Sequence, residues 1–145
     1  MKILFEILNI EWKNLAEVNA EQTEKCLYCA YGDSPIYGQA VLLYVGIVAK
    51  QTLAARIEQH RISDFSRINN LSYKVGILDN EFTQNPNYEA ILNTAESILI
   101  TMLKPSYNSS NIKSLAFNGN HFLLLNKGNR GALPLEVSNI WWKLN

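Results

Sequence analysis

The sequence predicts an α/β fold: a compact α/β sandwich in which a central three-stranded antiparallel sheet is flanked by helices, with a small C-terminal β-hairpin extension. Three observations lead there. Residues 25–31, 40–48 and 71–78 are short, apolar, β-favouring segments bounded by turn chemistry. Residues 52–62 and the run from Ala90 to Leu103 carry apolar side chains at helical spacing. The resulting order is strand, strand, helix, strand, helix, which packs as helices on a small sheet. A chain of 145 residues is long enough for one domain with a real core. That single domain is expected over 1–145, with its motif-bearing part at 25–108, an N-terminal helical or strand segment at 1–24 and an extension at 109–145.

Each element has a local reason. Residues 3–22 are helix-prone, with Leu8, Trp12, Leu15 and Ala16 at helical spacing, although the first few residues also suit a strand. The N-terminus starts like a signal peptide, but Glu6 and Glu11 interrupt its apolar region and no small-residue cleavage site follows. It is read as part of the fold, and the protein as cytoplasmic and not membrane-associated, because no apolar run approaches the roughly 20 residues of a membrane span. Gly32-Asp33-Ser34-Pro35 and Tyr37-Gly38-Gln39 supply a turn between the first two strands. The second strand, Ala40 to Val48, is apolar throughout and is expected at the centre of the sheet. Thr52 is a candidate N-cap for the first helix. Asn69-Asn70 precedes the third strand, Asn85-Pro86-Asn87 leads into the long helix, and Pro105 ends it. Asn118-Gly119 is a hairpin signal between Leu115-Ala116-Phe117 and the strand starting at Phe122. Trp141-Trp142 reads as a pair of packing anchors.

Composition is that of an ordinary globular protein, with 48% apolar and 18% charged residues and zero net charge. A strongly polycationic nucleic-acid binder is excluded, but the charge is unevenly placed. Residues 50–74 carry Lys50, Arg56, Arg61, Arg67 and Lys74, with His60, against only Glu58 and Asp64. A local basic stretch can hold phosphate while the whole chain stays neutral. Cys26 and Cys29 have a spacing that can mean half a zinc site or a redox pair. On a strand, however, side chains three apart face opposite ways. With His60 and His121 the four potential ligands are scattered, and the cysteines are read as ordinary reduced thiols.

Glu96 is the residue that asks for a function. On a helical wheel it lies inside the apolar stripe, with Leu92, Leu99 and Leu103 to one side and Ile100 to the other. A carboxylate on a core-facing stripe needs a partner, protein or bound. The first helix has a matching oddity. Arg56 and His60 lie one turn apart beside the apolar stripe of Leu53 and Ile57. An arginine, a histidine and a carboxylate could thus meet between two helices, either as a structural ion pair or as a site. Tyr28 and Tyr44 stand on the two first strands. Gly46 follows two residues after Tyr44, and a glycine inside a strand marks close approach of a ligand or another backbone. Asn108 closes the long helix in Pro105-Ser106-Tyr107-Asn108.

Taken together these residues resemble the GIY-YIG nuclease family, as a stand-alone member of restriction or phage type. Tyr44-Val45-Gly46 looks like its second signature. Arg56 stands ten residues after Gly46, His60 follows at the family's spacing, and Glu96, Pro105 and Asn108 match its Glu…Pro…Asn pattern. Cys26-Leu27-Tyr28 stands where Gly-Ile-Tyr is expected, so the tyrosine is kept and the glycine is not. Aligning Pro35-Ile36-Tyr37 instead leaves six residues between Tyr37 and Tyr44, too few for two full strands, so Tyr28 is preferred. The resemblance implies a DNA endonuclease using one divalent cation, Mg2+ or Mn2+, held by Glu96. Arg56 would hold the scissile phosphate. Tyr28 and Tyr44, favoured as phenolates by Arg56 and the metal, would activate water with His60, and Asn108 would orient the site. Gly46, Lys50 and Arg61 are candidate substrate contacts. DNA is the implied partner, and cutting both strands with one site would favour a homodimer.

Overall fold

Seven consecutive residues of β2 (Cys26–Ser34), from Cys26 to Gly32, are buried, and a strand like that must be covered on both faces. In the computed structural model, which describes residues 6–108 and 121–139, two layers do this. On one side Cys26, Tyr28 and Ala30 pack with Leu53 and Ile57 of α1 (Leu53–Ile62) and with Phe65. On the other, Leu27, Cys29 and Tyr31 belong to the core that holds Trp12, Leu133 and Leu92, Ala95, Ile98 and Leu99 of α3 (Tyr88–Leu103), with the Tyr31 hydroxyl against Arg130. Cys26 and Cys29 therefore belong to opposite faces, and both are free, buried thiols. Burial pushes the Cys26 thiol up to about 12 and raises Cys29 as well.

The sheet is larger than the sequence suggests. Six strands form one curled, mixed sheet in the order β3 (Gly38–Val48), β2, β4 (Ser72–Leu78), β1 (Glu6–Asn14), β5 (Phe122–Gly128), β6 (Glu136–Ser138). All neighbours are antiparallel except β1 and β5, which run parallel. Among the described residues the helices are few: α1, the four-residue α2 (Asn80–Thr83), α3 and a 3-10 turn at Leu15–Glu17. The expected sandwich of a three-stranded antiparallel sheet flanked by helices is thus wrong. So is the appended hairpin, because β5 and β6 continue the main sheet; the turn signal at Asn118-Gly119 and the pair Trp141-Trp142 lie outside the described residues.

Two points of the sequence reading, the open choice of helix or strand at the N-terminus and the place of β3, are settled by physical causes. Leu8 and Trp12 are four residues apart, a spacing common to helical periodicity and strand alternation. Ile10 between them is also buried, and only the strand reading accommodates all three on one face. What decides the matter is pairing: β1 is hydrogen-bonded on both edges, with Trp12 opposite Gly76 of β4 and Gly128 of β5. The Trp12 ring lies where a side chain on residue 76 would go, and its Nε1–H donates to Asn126 Oδ1 of β5 at 2.9 Å. The second point concerns β3, which is an edge strand, not a central one. Its apolar side chains are covered by both layers, and its outer backbone edge is closed by the segment after α3, as described below.

The local signals are met where the chain does follow them. The Thr52 side chain accepts from the Ala55 N–H at 3.2 Å and caps α1. α3 ends at Leu103, with Lys104 in the left-handed region just before Pro105. Among the described residues no helix is long and apolar enough to cross a membrane.

Candidate active site

β2 and β3 pair with Tyr28 opposite Gly46, and Tyr44 lies on the same face two residues before that glycine. α1 packs on this face, so Arg56 and His60, one turn apart, project onto the two tyrosines. The side chains meet in one hydrogen-bonded network. Arg56 Nε–H donates to the Tyr28 hydroxyl at 3.1 Å, and Nη2–H reaches the Tyr44 hydroxyl at 3.4 Å. The Tyr28 hydroxyl is 2.6 Å from His60 Nε2, and the Tyr28 and Tyr44 rings lie side by side with centroids 5.9 Å apart. His60 Nδ1 is 2.9 Å from Asp64 Oδ1. The imidazole is sandwiched: Phe65 stacks on it at 4.2 Å and Tyr44 meets it edge-on at 5.0 Å.

The two tyrosines are not equivalent. Tyr28 is fully buried, at 0% exposure, whereas Tyr44 and Arg56 are only partly buried and face outward. Burial raises the Tyr28 hydroxyl well above its ordinary value, helped by Tyr44 and only partly opposed by Arg56. Arg56 favours the Tyr28 phenolate, as expected, but desolvation outweighs that charge. His60, 2% exposed, is held below its ordinary value by burial, with the Arg56 charge adding and the Asp64 bond opposing. It is neutral at pH 7 and is the group in the network best suited to accept a proton.

Gly46 has a packing reason. A Cβ there would stand 2.6 Å from the Tyr28 ring and hydroxyl and 2.7 Å from Tyr44. The close approach inferred from sequence is that of the two tyrosines. Asn108 also has a defined place: its amide accepts from the Val45 N–H and donates to the Val45 carbonyl, both at 2.9 Å, on the outer edge of β3. It grips the backbone between Tyr44 and Gly46. The Tyr107 N–H binds the Leu43 carbonyl on the same edge.

Glu96 comes to that edge from α3. Its carboxylate is half-buried and lies beside the Ile47 backbone. Burial pushes its pKa up to about 7, against the opposing pull of Arg56 and of the Ile47 backbone. Arg56 spends its direct hydrogen bonds on Tyr28, Tyr44 and Gln59, and among the described residues no Lys, Arg or His nitrogen forms an ion pair with Glu96. The structural Arg56–Glu96 pair open from the sequence is not formed.

Two expected contacts stand apart from the network. Lys50 is exposed and lies 3.7 Å from Glu89, and Arg61 is exposed and forked onto Glu58 of its own helix. Tyr37, the alternative signature tyrosine, is 69% exposed beyond the network, at the β2–β3 turn. Sequence reasoning missed Asp64, Phe65 and Gln59. Asp64 carried a signal, since it stands four residues after His60, the spacing of one helical turn. No family model matches the chain, and no curated protein or solved structure does either.

Proposed function

We propose that the protein is a cytoplasmic, divalent-metal-dependent DNA endonuclease of GIY-YIG type that hydrolyses phosphodiester bonds. The observation that supports this best is the linked set Arg56, Tyr28, Tyr44 and His60 beside Glu96, a half-buried carboxylate raised to about 7 that feels the Arg56 charge but forms no direct ion pair among the described residues. Such a carboxylate fits a hard cation, which takes oxygen ligands and commonly uses one protein carboxylate with waters and phosphate oxygens. Among the described residues no three metal-ligating side chains gather, so Glu96 would hold Mg2+ or Mn2+ as the protein's ligand. When bound, the cation supplies Lewis-acid stabilisation of charge on the phosphate and leaving oxygen.

The protein side chains do the rest. A guanidinium has five N–H donors, and Arg56 commits three of them within the protein, leaving two to grip a non-bridging phosphate oxygen. The outward-facing Tyr44 hydroxyl receives the nucleophilic water. As the water oxygen bonds to phosphorus, its proton passes to Tyr44, that of Tyr44 to Tyr28, and that of Tyr28 to His60 Nε2. The P–O bond to the leaving oxygen breaks, and that oxygen takes a proton from solvent. No free phenolate is needed, which suits the raised Tyr28. Asn108 fixes the Tyr44–Gly46 backbone, and Gly46 lets the two phenols close on each other. Lys50 and Arg61 would add DNA contacts only by exchanging their present partners, and a homodimer would allow both strands to be cut.

A supercoiled-plasmid nicking assay with Mg2+, with EDTA and with Glu96→Ala tests the proposal. Cleavage that disappears in both the EDTA and the mutant samples is expected. No cleavage together with salt-sensitive DNA binding would identify a non-catalytic nucleic-acid-binding relative, the reading favoured by Cys26 in place of glycine and by the burial of Tyr28. Neither activity would sink both.

A further inference from the structure

Asp64 belongs to no motif of the sequence, yet it ends the chain of hydrogen bonds that starts at Arg56. We propose that Asp64 is a positioning residue that sets the direction of this chain: by accepting Nδ1–H of His60 it leaves the Nε2 lone pair facing the Tyr28 hydroxyl. The inference rests on the nuclease reading for its consequence, but its geometry stands independently.

A neutral imidazole carries one N–H, and a carboxylate can only accept. With Nδ1 at 2.9 Å from Asp64 Oδ1, the proton resides on Nδ1. Nε2 must then accept, so Tyr28 spends its single proton on His60 at 2.6 Å. Tyr28 then accepts from Arg56 Nε–H at 3.1 Å and has a lone pair left for the neighbouring Tyr44 O–H. Tyr44 in turn keeps an oxygen lone pair turned outward, since Arg56 Nη2–H occupies one. One carboxylate thus orders three side chains so that a proton can pass inward from Tyr44 through Tyr28 to His60. In the opposite tautomer Nε2–H would point at Tyr28, and a proton arriving from Tyr44 would have no acceptor.

Asp64 is itself held. Although partial burial alone would raise its carboxyl, the bonds from His60 and from the Ser63 hydroxyl lower it, so it is ionised through the neutral range. The ionisable groups facing His60 are Tyr28 from β2, Tyr44 from β3, Arg56 on its own helix and Asp64 from the turn after it. Tyr73 of β4 acts on Asp64 electrostatically. Of these only Asp64 is a carboxylate, and its bond to Nδ1 is the contact that stabilises a protonated His60.

The test measures tautomer and turnover separately. 15N-histidine spectra of the wild-type protein are expected to show His60 with protonated Nδ1 and bare Nε2. Asp64→Ala and the closer replacement Asp64→Asn should lose that preference. On a plasmid substrate both should lower kcat by about 10²-fold with little change in KM, and move the acid limb of the pH–rate profile to lower pH because the imidazolium loses its anion. Unchanged tautomer, or changed tautomer with unchanged kcat and pH profile, overturns the inference. If Asp64→Ala unfolds, the Asp64→Asn spectra and kinetics decide. If the wild-type protein cuts nothing while the tautomer still depends on Asp64, the nuclease reading fails and the orienting role survives.

Discussion

Glu96 sits on an apolar stripe, and its helical phase made that visible from sequence. What the phase could not reveal is which groups would surround it. The expected direct partner, Arg56, is taken by phenols, leaving the carboxyl raised to about 7 by burial. The sign of the consequence is fixed. A carboxyl whose folded pKa exceeds its ordinary 4.5 favours the folded state most below that value. That contribution is lost as pH rises through about 7 and the buried group ionises. Without metal, Glu96→Gln should therefore be more stable than wild type at pH 8 by about 1–2 kcal/mol, less than the full shift implies because the group is partly solvated. At pH 4 the two should be alike. Urea unfolding at both pH values measures this, and parallel curves would show that Glu96 is not under strain. Adding Mg2+ at pH 8 should stabilise wild type and leave Glu96→Gln unmoved.

At the scale of the element, β3 explains why the Tyr-x-Gly signature and Asn108 travel together. A strand with apolar residues throughout reads as central, yet this one lies at the edge. Its two faces are buried by different helices, and its free backbone is met by Tyr107, Asn108 and Glu96. Side-chain periodicity reports which faces are covered but says nothing about which backbone edge is paired, so this part of the fold was illegible. Asn108→Ala removes two hydrogen bonds and bares the Val45 amide and carbonyl. It should cost about 1–3 kcal/mol and lower cleavage at a temperature where the variant is folded. Hydrogen exchange at the Val45 amide should accelerate; an amide as protected as in wild type would mean that Asn108 is not the clamp.

For the molecule as a whole, the site was more legible than the architecture. Tyr28, Tyr44, Gly46, Arg56, His60, Glu96 and Asn108 all lie on or beside β2, β3, α1 and α3, whose existence follows from short-range patterns. β1 and β5 join by long-range pairing, including a parallel ladder between residues more than a hundred apart in the chain, and no local signal announces it; β6 then adds to β5. These strands extend the sheet beyond β4, away from the β3 edge. Trp12 anchors that half, buried over Gly76 and bonded to Asn126. Trp12→Ala should cost about 3–5 kcal/mol in denaturant unfolding. Its kcat in the cold, where the protein remains folded, should stay near wild type. A large fall in kcat without loss of stability would mean that the two halves are coupled through the sheet.

The opposed cysteines turn this layered build into something readable. Cys26 lies under α1 and Cys29 under α3, each sealed from reagents by its own layer. A thiol probe therefore has two separate clocks in one strand: the first runs when the helix carrying Arg56 and His60 lifts, the second when the helix carrying Glu96 does. Their relative rates, followed as DNA or metal is added, would tell which layer each ligand fastens.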